Sequence, residues 1–287
     1  MRRLSRPAAL SLVAALAAIF VVLLYAWLWE PRQLVQRDYV LPLRGWPASC
    51  DGLRVDVLAD LHTGSWLNGV DNLDRIVGDM RASNSDVVVL AGDYVILSVA
   101  MGTFVDPSIV AQHLAPLARD KPVYAVLGNH DWWKNGPRIA HLFGAVGIHV
   151  LRNQSTIVDA RGCRFSLVGI DDLTAGRPDV GKAFAHLAPG LPIVALEHEP
   201  AIYPRLPQDT VLAIAGHTHG GQVNPFGLRT PSRLVPGSAA LRGEYHDGRR
   251  TLFVSPGIGT SWLPLRLGVP PEISRLTLRA AATGTAR

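Results

Sequence analysis

Apolar residues recur along this chain in two rhythms. Short unbroken runs rich in Val, Ile and Leu occupy residues 53–59, 86–91, 122–127, 148–151, 165–170, 191–196 and 210–215. Runs of that length, bounded by Gly, Pro and Asp, read as buried strands. Between them, Val70, Leu73, Ile76, Val77 and Met80 form one stripe at helical spacing, which predicts a helix over 70–82. Helices are also predicted at 107–117, 137–143 and 180–187. Residues 251–254 and 272–278 read as closing strands, and 39–43 as a short strand. The alternation predicts an α/β fold. In such folds ligands collect beyond the carboxyl ends of the strands.

The chain opens on a different pattern. Residues 8–29 carry no charge, and a helix of that length crosses ~30 Å of hydrocarbon. Tyr25, Trp27 and Trp29 lie where an aromatic belt would sit, and Glu30-Pro31 stops the run. The stretch exceeds the apolar core of a signal peptide and no small-residue cleavage site follows. It therefore reads as an uncleaved, single-pass anchor over 1–31. A linker over 32–49, one folded domain over 50–279 and a disordered tail over 280–287 complete the organisation. Arg2, Arg3 and Arg6 precede the helix, which predicts a cytoplasmic N-terminus in the inner membrane and a domain on its outer side. Arg32 and Arg37 on the far side pull the other way.

Composition narrows the chemistry. The formal net charge is +5, and the only lysines are Lys121, Lys134 and Lys182. The arginines are scattered and not interleaved with aromatics, so no nucleic-acid groove is expected. Cys50 and Cys163 lack the spacing of a thiolate zinc site. One disulfide in an oxidising compartment and two free thiols are equally compatible with them.

The strand ends carry the chemistry. Asp60, His62, Asp93, Asn129, His198, His217 and His219 each follow an apolar run. If the backbone of Gly216-His217-Thr218-His219 is extended, both imidazoles face one volume. Two carboxylates, one carboxamide and four imidazoles suit Mn, Fe, Zn or Co better than Ca. The set exceeds one open site of three protein ligands and suits two cations sharing a carboxylate. His130, next to Asn129, is placed to assist proton transfer.

These motifs together (Asp60-x-His62, Gly92-Asp93, Gly128-Asn129-His130-Asp131, His198 and Gly216-His217-x-His219) resemble the signature of the calcineurin-like metallophosphoesterases across about residues 50–278. The resemblance implies a two-sheet β-sandwich flanked by helices. It also implies that Asp60, His62 and His219 hold one metal, that Asn129, His198 and His217 hold a second, and that Asp93 bridges them. His130 would be the catalytic histidine that is not a ligand. The implied reaction is phosphoester hydrolysis, most simply of a phosphodiester, by a metal-bridging hydroxide. The stretches 216–223 and 253–271 are similar to a small bacterial, membrane-associated phosphodiesterase branch. Some enzymes of that kind cleave UDP-2,3-diacylglucosamine, a lipid-linked pyrophosphate. A nucleotide or small-molecule phosphoesterase and a non-catalytic membrane scaffold are the alternatives.

Protein phosphatases of the family carry Gly-Asp-x-Val-Asp-Arg-Gly, whose second Asp orients the histidine. Here Gly92-Asp93-Tyr94-Val95 runs into Ile96-Leu97, which argues against that class and leaves Asp131 as the neighbouring carboxylate. Trp66, Tyr94, Trp132, Trp133 and Trp262 fall near the motifs, as an apolar rim or as loop packing. Arg229, Arg233 and Arg266 are candidate phosphate donors or surface charges. Asp171 and Asp172 read as turn residues. Glu197 and Glu199 read as solvated neighbours of His198.

Overall fold

The computed structural model describes residues 5–227 and 240–281. Two six-stranded mixed sheets face each other. The first has the order β1 (Val35–Leu43), β12 (Glu272–Ala280), β2 (Leu53–Leu58), β3 (Val87–Ala91), β4 (Val123–Val126) and β5 (His149–Val150). The second has the order β10 (Gly243–Asp247), β11 (Arg250–Val254), β9 (Thr210–Ala215), β8 (Ile193–Leu196), β7 (Cys163–Gly169) and β6 (Gln154–Ala160). Side chains alternate across each strand. Val55, Val57, Val87 and Val89 thus point between the sheets, against Phe165, Leu167, Val194 and Ile214. Leu58, Val88 and Leu90 point outward, under α2 (Val70–Ala82), α3 (Pro107–Asp120) and α4 (Asn129–Ala145). Burial on both faces explains why these strands read as unbroken apolar runs. Cys50 and Cys163 form a disulfide that ties the entry of β2 to the start of β7, one in each sheet.

Several boundaries differ from the sequence expectation. The stretch 32–49 is not only a connector, because β1 occupies half of it and pairs along its whole length with β12. Pro42 is tolerated because β1 lies at the sheet edge. β12 continues through Ala280, and 282–287 lie outside the described residues. The helix expected at 137–143 begins at Asn129, with a kink at Asn135 ahead of Pro137. The one expected at 180–187 is a single turn, α5 (Val180–Ala183). β6 and β10 were not expected, because each carries exposed polar residues.

α1 (Arg6–Leu24) continues through a π turn (Tyr25–Trp29) and a 3-10 turn (Glu30–Arg32). Over Arg6–Arg32 it is, among the described residues, the one helix long and apolar enough to cross a membrane.

Candidate metal centre

The loops after β2, β3, β4, β8 and β9 converge on one point. Asp60 N donates to Gly92 O at 3.0 Å and His62 N to Asp93 O at 2.9 Å, so the first two loops are laced together. Asp60, His62, Asp93, His217 and His219 all take positive φ, between 39° and 70°. Left-handed backbone at non-glycine residues costs ~1–3 kcal/mol each and persists only where the surroundings enforce it. His217 and His219 therefore converge through two left-handed residues, not through the extended backbone expected from their spacing. Gly128 leaves room for this crowding, since a Cβ there would lie 2.2 Å from Asp93 Oδ1.

All seven expected ligand residues are brought together. Asp60, His62 and His219 form one group that could hold a metal, Asp93, His198 and His217 a second, and His62, Asp93 and His130 a third. Asp93 Oδ2 lies 3.5 Å from His62 Nε2 and 3.3 Å from His198 Nε2, so it faces the first two groups. Asn129 Oδ1 is 3.2 Å from His198 Nε2. Asp60 also accepts from His217 N with both oxygens at 3.0 Å, tying the first two groups to each other.

The donor chemistry fits cations. His62 Nδ1 faces Val95 O and His219 Nδ1 faces Gly259 O, each at 3.2 Å. A carbonyl only accepts, so His62 Nδ1 carries the proton and its Nε2 presents a lone pair. His219 Nδ1 lies between its carbonyl and the Arg266 guanidinium, a donor at 3.4 Å, and its Nε2 faces that of His62 at 3.2 Å. Burial lowers His62 to about 3 and His219 well below the usual imidazole value, so neither is protonated near neutrality. These neutral imidazoles, beside Asp60 and Asp93, offer nitrogen and oxygen donors to a cation. On the other side, burial opposes charge on His198, but Asp93, Asp60 and Asp172 outweigh it and hold it well above its usual value. The surroundings favour a positive charge at that point too. Burial pushes Asp60 up to about 7. Asp93 is also raised by burial, but His198, His62 and His130 bring it well below the carboxylate range.

His130 lies beside this set. Its backbone N donates to Asp93 Oδ1 at 2.9 Å, and its ring packs edge-on against His62 at 4.5 Å between centroids. Its Nδ1 is buried without a hydrogen-bond partner, and burial lowers its pKa. Asp131 does not orient that ring. Its carboxylate accepts from the backbone N of Asp93, Tyr94 and Gly128 at 2.8, 2.9 and 2.9 Å and so holds the Asp93 loop, a role with no signal in the sequence.

The aromatic residues divide. Trp133 and Trp262 line a cavity of ≈ 700 Å³ above Asp93, Asn129, His130, His217 and His219. Tyr94 is core, donating to Leu90 O and Val126 O. Trp132 donates to Asp171 and stacks under Arg152. Trp66 stacks on Trp27. Arg266 is no surface phosphate donor, because it is buried and donates to the carbonyls of Pro256, Gly259 and Val269. Arg229 and Arg233 lie outside the described residues. Asp171, Asp172, Glu197 and Glu199 are buried, and Asp171 and Asp172 accept from nearby turn N–H groups.

The chain is similar to known proteins over most of its length. Residues 53–221 match the family model described as calcineurin-like phosphoesterase. An uncharacterised metallophosphoesterase of Bacillus subtilis is 29% identical over 268 residues, covering 89% of each chain. Phosphodiesterase YaeI of Escherichia coli is 34% identical over 231 residues, covering 77% of this chain and 80% of that one. A transmembrane protein with a metallophosphoesterase domain from Danio rerio is 32% identical over 88% of this chain, which spans 58% of that protein's length. Among solved structures, a phosphopantetheinyl hydrolase from Mycobacterium tuberculosis aligns with a TM-score of 0.45 at 12% identity, covering 74% of this chain and 91% of that one.

Proposed function

Because the chain belongs to the calcineurin-like phosphoesterase family, and is by that membership a phosphoester hydrolase, we propose that it is a dinuclear metal-dependent phosphodiesterase anchored in a membrane. The observation that carries the reading is the convergence of Asp60, His62 and His219, and of Asp93, His198 and His217, with Asp93 Oδ2 3.5 Å from His62 Nε2 and 3.3 Å from His198 Nε2. Asp60, His62 and His219 would hold one divalent cation, Asn129, His198 and His217 a second, with Asp93 between them. Mn, Fe, Zn or Co suits this donor set. When bound, such cations polarise the phosphoryl oxygens and lower the pKa of a coordinated water.

The chain's own residues would do the rest. The carbonyls of Val95, Ala91 and Gly259 fix the rings of His62, His198 and His219 through their Nδ1 atoms. Asp131 fixes the Asp93 loop. His130 would hydrogen-bond the departing oxygen through a ring N–H facing the cavity and so stabilise the charge that develops there. Its lowered pKa favours the neutral ring, which donates from one nitrogen and accepts at the other.

A phosphodiester or pyrophosphate held at a membrane is the proposed substrate class. The cavity lined by Trp133 and Trp262 supports it, as does the relative named phosphodiesterase. The Cys50–Cys163 disulfide supports a domain on the oxidising, outer side of the cytoplasmic membrane.

The test compares hydrolysis of bis-p-nitrophenyl phosphate and p-nitrophenyl phosphate by the full chain in detergent, after chelation and after adding back Mn. Faster, metal-restored turnover of the diester is expected. Turnover that survives chelation, or a preference for the monoester, would overturn the proposal. His130→Ala should keep bound metal and lose rate by roughly 100-fold or more.

A further inference from the structure

Strand register decides where the helix meets the domain. β1 runs parallel to β12, with Val35 opposite Glu272, and β12 runs antiparallel to β2, with Ser274 opposite Val57. The chain leaving the helix at Arg32 therefore enters the sheet beside the carboxyl ends of β2, β3 and β4. Those ends carry Asp60, Asp93 and Asn129.

The helix foot is fastened to that same face. Trp27 stacks on Trp66 with centroids 5.8 Å apart, and Trp66 Nε1 donates to Trp27 O at 3.1 Å. Arg266 N donates to Ala26 O at 2.9 Å, and Val269 N to the buried Glu30 carboxylate at 2.6 Å. Both partner segments are loops of the metal centre. One continues from His62, and the other supplies Gly259, whose carbonyl receives His219.

Exposed apolar side chains lie near this foot, beside the exposed Arg32. Trp262 is 84% exposed, Leu263 57% and Met101 53%. They form one patch, because Ala100 N donates to Trp262 O at 3.3 Å. Leu263 lies in the same loop as Arg266, which is bonded to the helix. Tyr25 and Trp29 are exposed on the foot itself. Trp262 and Leu97 also line the cavity over the candidate metal ligands. Indole and aliphatic side chains ringing the root of an uncharged helix match the boundary between headgroups and acyl chains. Tryptophan favours that layer, and an interfacial apolar face sinks ~5–10 Å into it.

We propose that the loops carrying Met101 and Trp262-Leu263 form a bilayer-docking face continuous with the anchor, so that the mouth of the metal centre opens in the lipid headgroup layer. The partner is the phospholipid surface in which α1 sits. The inference rests on the anchor reading of α1 and is independent of the reaction.

The test uses the full chain in phosphatidylcholine–phosphatidylglycerol vesicles, with part of the phosphatidylcholine brominated near the glycerol end of one acyl chain. The native cysteines are joined to each other, so Leu263→Cys, and separately Trp262→Cys, provides one thiol for a bimane label. Trp29→Cys reports the anchor. Asp159→Cys, in the β6–β7 hairpin at the opposite end of the second sheet, reports the far face. Labels at 262, 263 and 29 should each lose roughly half their emission to the brominated lipid, while the label at 159 keeps its own. Quenching at 29 without quenching at 262 or 263 would overturn the docking face and leave the anchor standing; a protein partner covering the patch gives this outcome. Absence of quenching at 29 would overturn both.

Discussion

Asp131 is the position where the structure makes its sharpest claim about the site. Its carboxylate is fully buried and accepts three backbone N–H groups within 2.9 Å, two of them from Asp93 and Tyr94. Removing it in Asp131→Ala leaves all three donors buried without partners. A hydrogen bond to a charged group contributes ~1.5–3 kcal/mol. Burial, reinforced by the Asp93 charge, pushes Asp131 up to about 8, so the carboxyl is mostly neutral near pH 7. The range for neutral groups, ~0.5–1.5 kcal/mol per bond, then applies, about 3 kcal/mol for the three bonds. That is a fifth or more of the ~5–15 kcal/mol that holds a typical domain together. The loss falls on the loop that holds Asp93 at φ 58°, so metal retention should fall with stability. Urea unfolding of the full chain in micelles, with metal content measured after dialysis, reads both quantities. Asp131→Asn keeps an acceptor and should recover about half of the loss. His130→Ala should change neither quantity appreciably. If Asp131→Ala unfolds within ~1 kcal/mol of the parent and keeps its metal, the carboxylate does not hold the loop and the reasoning fails.

Three further expectations follow from particular contacts. Gly128→Ala would put a Cβ 2.2 Å from Asp93 Oδ1 and 2.7 Å from its backbone N, and displacing that carboxylate should cost roughly 100-fold in kcat/KM; near-normal turnover would show that the loop yields. Cys163→Ser opens a bridge spanning 113 residues, for which chain entropy gives ~4–5 kcal/mol, and its urea midpoint should coincide with that of the reduced parent. Glu197 is buried with both oxygens unpartnered; burial first, then Glu199, holds its pKa well above the usual 4.5. It is thus protonated when folded and ionised when unfolded. Its contribution is present below about pH 4.5 and is lost as pH rises toward the folded value. Glu197→Gln should therefore gain stability over the parent progressively from pH 5 to pH 8, as read in urea melts; a gap that stays constant with pH would refute the assignment.

Much of the site was legible in the linear order, for a specific reason. Parallel strands buried on both faces must be continuous apolar runs, so their ends stand out, and in an α/β layer all those ends share one edge. Asp60, His62, Asp93, Asn129, His198, His217 and His219 could be gathered on that basis before any coordinate was known. β6 and β10 were missed because their exposed polar residues break the apolar signal. The connector at 32–49 was misjudged because Pro42 and Pro47 look like breakers, although Pro42 sits at a sheet edge where a missing N–H is tolerated. Glu197 and Glu199 looked solvated because nothing local to a glutamate reports that a tertiary neighbour will cover it.

The sequence by itself therefore determined the two rhythms of the fold, the ligand chemistry and the apolar helix at the start. These depend on residue type and short-range spacing, which the chain carries wherever it folds. Only the tertiary structure decided how the ligands converge: through left-handed backbone at five of them, held by contacts such as Asp131 to Asp93 that lie 38 residues apart. It also decided that the helix foot packs on the face of the metal centre, through pairs such as Trp27–Trp66 and Ala26–Arg266. Contacts at that separation are set by strand order and register. Those depend on the whole chain being packed, and no local pattern encodes them.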